Sequence, residues 1–193
     1  MEVYKQLKDK YTTVSGFANG MAAVSKNGKW GYVDENGEEI VPLKYDFAHV
    51  FENGLARVEK NGKVGVINKE GKEVVPCKYD AVSSFVGLPV VRVSLNGKFG
   101  YVNQEGKEIV PCQYEEATLF NEGFAGVKKE GKWAYINENG KAITEFKYDA
   151  TYEFEKGYGL ASINGDFILV DKKGQEVEMD SVNEAEVDEP ENE

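Results

Sequence analysis

Phe17, Phe51, Phe85, Phe120 and Phe154 recur at spacings of 34, 34, 35 and 34 residues. A tyrosine stands six residues before each, at Tyr11, Tyr45, Tyr79, Tyr114 and Tyr148. A period of this length commits a chain to a tandem architecture, in which one unit is too small to bury its own apolar face and neighbours complete it. Helical arrays share a period of about 34 residues, so the kind of unit must be read from the punctuation inside the repeat. After each Phe comes an apolar segment such as Gly54-Leu55-Ala56-Arg57-Val58. A turn pair follows: Asn27-Gly28, Asn61-Gly62, Asn96-Gly97, Glu130-Gly131 and Asn164-Gly165. Next comes a signature segment, Lys29-Trp30-Gly31-Tyr32-Val33-Asp34 in one repeat and Lys132-Trp133-Ala134-Tyr135-Ile136-Asn137 in another. A second turn ends at Gly37, Gly71, Gly106, Gly140 or Gly174, and three repeats then close on Val41-Pro42, Val75-Pro76 and Val110-Pro111.

This punctuation selects β-structure. Asn-Gly between apolar runs is the strongest short hairpin signal, because a type I′ turn needs positive φ at both central residues. Asp or Asn followed three residues later by Gly suits a type I turn with a left-handed exit. No stretch between these turns has room for a helix of about ten residues. Each repeat therefore reads as three short antiparallel strands, with the segment from Tyr to Phe available as a fourth. In Trp30-Gly31-Tyr32-Val33 both strand faces are apolar, which predicts cover on both sides. The central glycine is expected to leave a gap for an aromatic ring from a neighbouring repeat.

From Lys10 to about Val177 these residues resemble the WG (KWG) repeat of bacterial proteins, with its motif of Gly-Lys-Trp-Gly-Tyr-Ile-Asp type. The departures are Val64, Phe99 and Phe167 in place of Trp, Ala134 and Ile168 in place of the following Gly, and Thr144-Glu145-Phe146 in place of Val-Pro. The fifth repeat reads as carrying Tyr158-Gly159 as an insertion and two fewer residues before Asn164-Gly165. The resemblance implies a β-repeat array without established catalytic residues, and hence scaffolding or binding. The expected fold is all-β, with about five antiparallel units of ~34 residues. Lys10 to Gly16 looks like the closing part of a repeat and Phe154 to Val177 like the opening part. A small propeller-like ring joining its ends within one unit is one arrangement, and an open superhelical array with polar caps is the other.

Charge divides the chain. The formal net charge is −11, from 23 basic and 34 acidic residues. Nine acidic residues and no Lys or Arg lie between 176 and 193, so the remainder carries 23 basic against 25 acidic, a net of −2. The expected organisation is a repeat domain over 1–175 and an acidic disordered tail over 176–193. The negative balance opposes nucleic-acid binding, no apolar run is long enough for a membrane span, and the N-terminal residues lack the pattern of a signal peptide. The expected location is cytoplasmic.

Little announces chemistry. Cys77 and Cys112 follow Val-Pro in two repeats and read as buried free thiols under a shared packing slot, since only His49 could join them on a metal. Asp34-Glu35-Asn36-Gly37 superficially suggests calcium, but the equivalent turns Asn68-Lys69-Glu70-Gly71 and Asp171-Lys172-Lys173-Gly174 carry lysines, so turn chemistry is the better account. No nucleophile elbow or phosphate loop is present. The two arginines, Arg57 and Arg92, share one repeat position with Ala23, Gly126 and Ser162, and are the candidate ligand-facing residues, with forked donors suited to a carboxylate or phosphate. The expected function is non-enzymatic, with no cofactor and no metal: a scaffold for a protein or peptide partner. The alternative is a carbohydrate or small-ligand binder with one shallow aromatic site per repeat. Burial of Tyr11, Tyr45, Tyr79, Tyr114 and Tyr148 separates the two.

Overall fold

A computed structural model describes residues 2–85 and 88–179. It begins with a helix, α1 (Glu2–Lys10), followed by five antiparallel sheets taken in chain order. The first holds β1 (Thr13–Val14), β2 (Met21–Lys26), β3 (Lys29–Asp34) and β4 (Glu39–Tyr45). The second holds β5 (Phe47–Ala48), β6 (Leu55–Lys60), β7 (Lys63–Asn68) and β8 (Glu73–Tyr79). The third holds β9 (Ala81–Val82), β10 (Val90–Leu95), β11 (Lys98–Asn103) and β12 (Glu108–Tyr114). The fourth has three strands, β13 (Glu116–Ala117), β14 (Phe124–Lys129) and β15 (Lys132–Asn137). The fifth holds β16 (Ala150–Glu155), β17 (Tyr158–Ile163), β18 (Asp166–Asp171) and β19 (Glu176–Val177). The all-β repeat expected from the sequence is thus present, with a fourth strand supplied directly after the tyrosine. Two compact units divide the chain: residues through 97 together with 101–108, and residues 98–100 together with those from 109 onward.

The turns explain the hairpins. Asn27 and Gly28 have φ of 55° and 73°, the pair of positive values a type I′ turn requires, and Lys26 faces Lys29 across it. In the second turn the Asp34 carboxylate accepts the backbone N–H groups of Asn36 (3.0 Å) and Glu38 (2.8 Å). Asn68, Asn103, Asn137 and Asp171 do the same for Lys72, Lys107, Lys141 and Gln175. The carboxylates that suggested calcium are consumed by their own turns. A further positive-φ pair, Asn19-Gly20, follows the repeat phenylalanine and recurs as Asn53-Gly54, Glu122-Gly123 and Lys156-Gly157.

These turns also correct the alignment of the fifth repeat. Phe154 precedes Gly165 by 11 residues, as Phe51 precedes Gly62, so nothing is inserted or lost. Leu160 faces Leu169 in the fifth sheet as Arg57 faces Val66 in the second and Gly126 faces Tyr135 in the fourth. The residue equivalent to Arg57 is therefore Leu160, not Ser162.

Four other expectations change. The ends do not share a sheet: Thr13 and Val14 pair with Ser25 and Val24 in the first, while Glu176 and Val177 pair with Val170 and Leu169 in the fifth. Each end segment finds ladder partners within its own repeat. The boundary expected after residue 175 accordingly falls before β19, and Glu176 holds Lys147 at 2.7 Å and accepts the Tyr148 hydroxyl at 2.9 Å. The tail from 180 to 193 lies outside the described residues. The third change concerns Gly31. A Cβ there would collide with the Val41 carbonyl and approach Pro42 backbone atoms to 2.9 Å. The space is taken by the closing strand of the same sheet, not by a ring from a neighbour. Gly65 and Gly100 repeat this, at 2.7 Å from the Val75 oxygen and 2.5 Å from the Val110 oxygen. Where Ala134 replaces the glycine, no closing strand forms, and the Thr144 hydroxyl accepts the Tyr135 N–H at 2.9 Å instead.

The fourth is α1, which the repeat pattern does not announce. Leu7 is buried with Ala22, Val24 and Val33, and Val3 packs against them. Val3 and Leu7 are one helical turn apart and share a face. Glu2 in the first turn and Lys8 and Lys10 in the last suit the helix dipole. A Cβ on Gly37 would meet Val3 at 3.3 Å and Leu7 at 3.7 Å. The equivalent Gly71 instead faces Val41 of the preceding repeat, and Gly140 faces Val110. The helix therefore stands where a preceding repeat's closing strand would stand, and caps the first sheet.

Candidate functional site

Three recurring contacts join one repeat to the next, and the places where they fail define the candidate sites. The first uses the signature tyrosine. The Tyr32 ring lies edge-on to Phe51 at 4.8 Å and its hydroxyl donates to the His49 carbonyl at 2.6 Å. Tyr135 meets Phe154 at 5.0 Å, and its one hydroxyl proton is shared between the carbonyls of Leu160 (2.6 Å) and Tyr152 (2.8 Å). Burial pushes the hydroxyl pKa of both tyrosines well above its ordinary value. The second contact uses the residue before the turn glycine: Asn19 Oδ1 accepts the Gly54 N–H, and Glu122 Oε2 accepts the Gly157 N–H, both at 2.9 Å. The third is a clasp, in which Lys29 pairs with Asp46 at 2.5 Å while Asp46 also accepts the Asn61 N–H at 2.6 Å. Lys63 and Asp80, and Lys132 and Asp149, repeat it. The lysine partners, followed by these turn N–H groups, hold the three carboxyls below the usual carboxylate range.

In the second repeat Val66 replaces the signature tyrosine, and a cavity of about 60 Å³ remains. It is lined by His49, Glu52, Arg57, Val66, Ser84 and Phe85, among others. Arg57 is half-buried and Nη1 donates to the Val82 carbonyl at 3.3 Å. That carbonyl lies one residue before the position matching the His49 carbonyl that Tyr32 reaches, so Arg57 does for this interface what the missing phenol does elsewhere. Burial, followed by the Arg57 charge, lowers the His49 pKa and favours the neutral imidazole. Arg92 occupies the same position of β10, is half-buried, and is not among the residues lining this cavity. The cavity thus does not bring the two sequence candidates together, and Arg57 has a structural duty there.

In the fifth repeat Leu169 replaces the signature tyrosine. Tyr152, Tyr158, Leu160 and Leu169, with Glu153, Glu155, Lys156 and Met179, line an open cavity of about 520 Å³. Strand alternation places Tyr158, Leu160, Phe167 and Leu169 on one face, opposite Ala161 and Val170, which are buried with Tyr135, Tyr148 and Phe154. Tyr152 is 48% exposed and Phe167 54%, with ring centroids 6.1 Å apart. Sequence reading missed this face because a misaligned fifth repeat hid Leu160. The available signal was the loss of aromatic residues from the signature strand except at its exposed edge.

The recurring tyrosines Tyr11, Tyr45, Tyr79, Tyr114 and Tyr148 are all buried, with exposures between 0% and 6%. Cys77 and Cys112 are free thiols, but half-buried and not fully buried as expected, and burial, followed by the Glu73 charge, pushes Cys77 up to about 11. Among the described residues no three His, Cys, Asp or Glu side chains cluster as metal ligands, and no helix is long and apolar enough to cross a membrane.

The match to known families is decided by the repeats themselves. The WG containing repeat family matches residues 10–30, 30–63, 65–99, 99–133 and 133–165 in turn. This chain belongs to the WG-repeat family. No curated protein matches it. Among solved structures, it is similar to Kluyveromyces lactis Hsv2, at 9% identity and a TM-score of 0.42 over 86% of this chain and 63% of that one. It is also similar to a eukaryotic initiation factor, at 10% identity and a TM-score of 0.46 over 88% of this chain and 55% of that one. The chain thus spans under two thirds of either. Likenesses at these scores carry no argument about function.

Proposed function

We propose that this WG-repeat chain is a non-enzymatic interaction module that binds a protein or peptide on the outer face of its fifth repeat. The observation that carries the reading is the concave apolar surface formed by Tyr152, Tyr158, Leu160, Leu169 and Met179, edged by Glu153, Glu155 and Lys156. Contiguous exposed apolar surface with a polar rim marks interaction sites. A sugar-binding array with one aromatic site per repeat needs exposed rings at equivalent positions. The recurring tyrosines are interior, which favours the protein-binding reading.

The test is selection of binders from a displayed peptide library against the full chain, followed by calorimetry on wild type and Leu160→Glu. Selected peptides should lose at least tenfold in affinity on the variant, since a buried apolar contact is exchanged for a charge. Failure to select any peptide, or binders indifferent to residue 160, would sink the reading.

A further inference from the structure

Five residues lining the open cavity of the fifth repeat match, position for position, residues lining the smaller cavity of the second. His49, Glu52, Leu55, Arg57 and Val66 of the second repeat occupy the positions of Tyr152, Glu155, Tyr158, Leu160 and Leu169 in the fifth. In both, an aliphatic side chain has replaced the signature tyrosine. The opposite wall of this smaller cavity is Ser84-Phe85, supplied by the following repeat. With that dipeptide in place the space is about 60 Å³ and Phe85 is 6% exposed, whereas the fifth repeat has about 520 Å³ open.

Resting on the interaction reading above, we propose that this slot is an aromatic-anchor site: it takes the phenylalanine side chain of an extended partner segment, seated as Phe85 is seated against Val66. The same fit recurs as Phe51 beside Tyr32 and Phe154 beside Tyr135, so one phenylalanine fills each of these three slots. The occupant is a peptide segment and not a further whole repeat. Asn19 and Glu122 accept the backbone N–H that locks the next repeat in place, but Lys156 holds that position in the fifth, and an ammonium only donates. The face keeps the pocket for the ring and lacks the acceptor for the turn behind it. Lys156 instead offers a rim cation to an acidic residue of the partner.

The probe is a labelled peptide copying residues 80–90 of this chain, which carries Phe85, titrated into the full chain by fluorescence anisotropy. A second peptide has alanine in place of that phenylalanine. The expected result is saturable binding that falls at least tenfold for the alanine peptide and at least tenfold for wild-type peptide on Leu169→Glu, with thermal unfolding of the variant confirming its fold. Equal binding of the two peptides, or binding unaffected by Leu169→Glu, overturns the proposal. Library-selected peptides that respond to Leu160→Glu yet hold no aromatic residue overturn it too, while leaving the interaction reading standing. Absence of any selected binder removes both.

Discussion

On the first sheet, Ala22, Val24 and Val33 lie beneath Leu7 and Val3 of α1. On the fifth, Leu160 and Leu169 stay partly exposed and Phe167 is largely so. Both sheets are built from the same repeat, so both have the two apolar faces that a stacked unit needs. The first has its spare face closed by nine residues of helix, whereas among the described residues that of the fifth stays partly exposed. The comparison teaches that a terminal repeat need not change its strands to end an array. It needs only something else on the face that a neighbour would cover, and the face left partly exposed on the fifth sheet is the one proposed above to take a partner.

The largest test of this contrast concerns phenylalanines at the same repeat position. Phe51 is 1% exposed against Tyr32, whereas Phe17 is 37% exposed. Phe51→Ala should cost about 3–5 kcal/mol in chemical denaturation and Phe17→Ala less than about 1 kcal/mol; similar losses would mean that the position, not its neighbour, sets the energy. Next come the two end faces. Leu7→Ala should cost about 2–3 kcal/mol through the cavity it leaves under the cap, and Leu169→Ala under about 1 kcal/mol. Equal destabilisation would remove the distinction between the capped face of the first sheet and the exposed face of the fifth. Smaller again is the exchange at the signature glycine. Gly31→Ala should cost about 1–3 kcal/mol by overpacking against the Val41 carbonyl, while Ala134→Gly should cost about 0.5–1 kcal/mol, as backbone freedom alone.

The smallest effect is electrostatic. Asp46, Asp80 and Asp149 are held below the usual carboxylate range by their lysine partners and turn N–H groups. A depressed folded pKa gives stability that is fully present above the unfolded value and is lost as pH falls through the folded one. Acid unfolding of the triple Asp→Asn variant should therefore shift less between neutral pH and pH ~2 than that of wild type, because the groups that take up the protons are gone. These clasps are exposed, so solvent screening keeps their contribution small. An unchanged acid limb in the triple variant would show that they contribute nothing.

Turn chemistry made the sheets legible, because Asn27-Gly28 and its copies dictate positive φ in a way few other dipeptides do. The inter-repeat contacts were harder. Lys29 and Asp46 are 17 residues apart, as are Lys63 and Asp80, and Lys132 and Asp149, yet spacing across two turns has no fixed geometry until the sheets are stacked. Gly31 was legible as a close approach but not as an approach by its own sheet, since a glycine records that space is short without recording what fills it. Arg57 looked like a ligand residue because it varies among regular neighbours. Its role depends on Val66, across the strand pair, where the compensating loss of a ring occurred. The helix was invisible to repeat analysis because it is the one described element that does not repeat.

One consequence of this layout concerns the order of events in synthesis. Every sheet is assembled from a single uninterrupted stretch no longer than one repeat. Pairings of such short sequence separation form without waiting for distant parts of the chain. As the polypeptide is made from its N-terminus, the helix and the first sheet have all their residues once Tyr45 has emerged, and later repeats add to what has already folded. Translation and folding thus run in the same direction, and the fifth sheet gains its residues after the four before it.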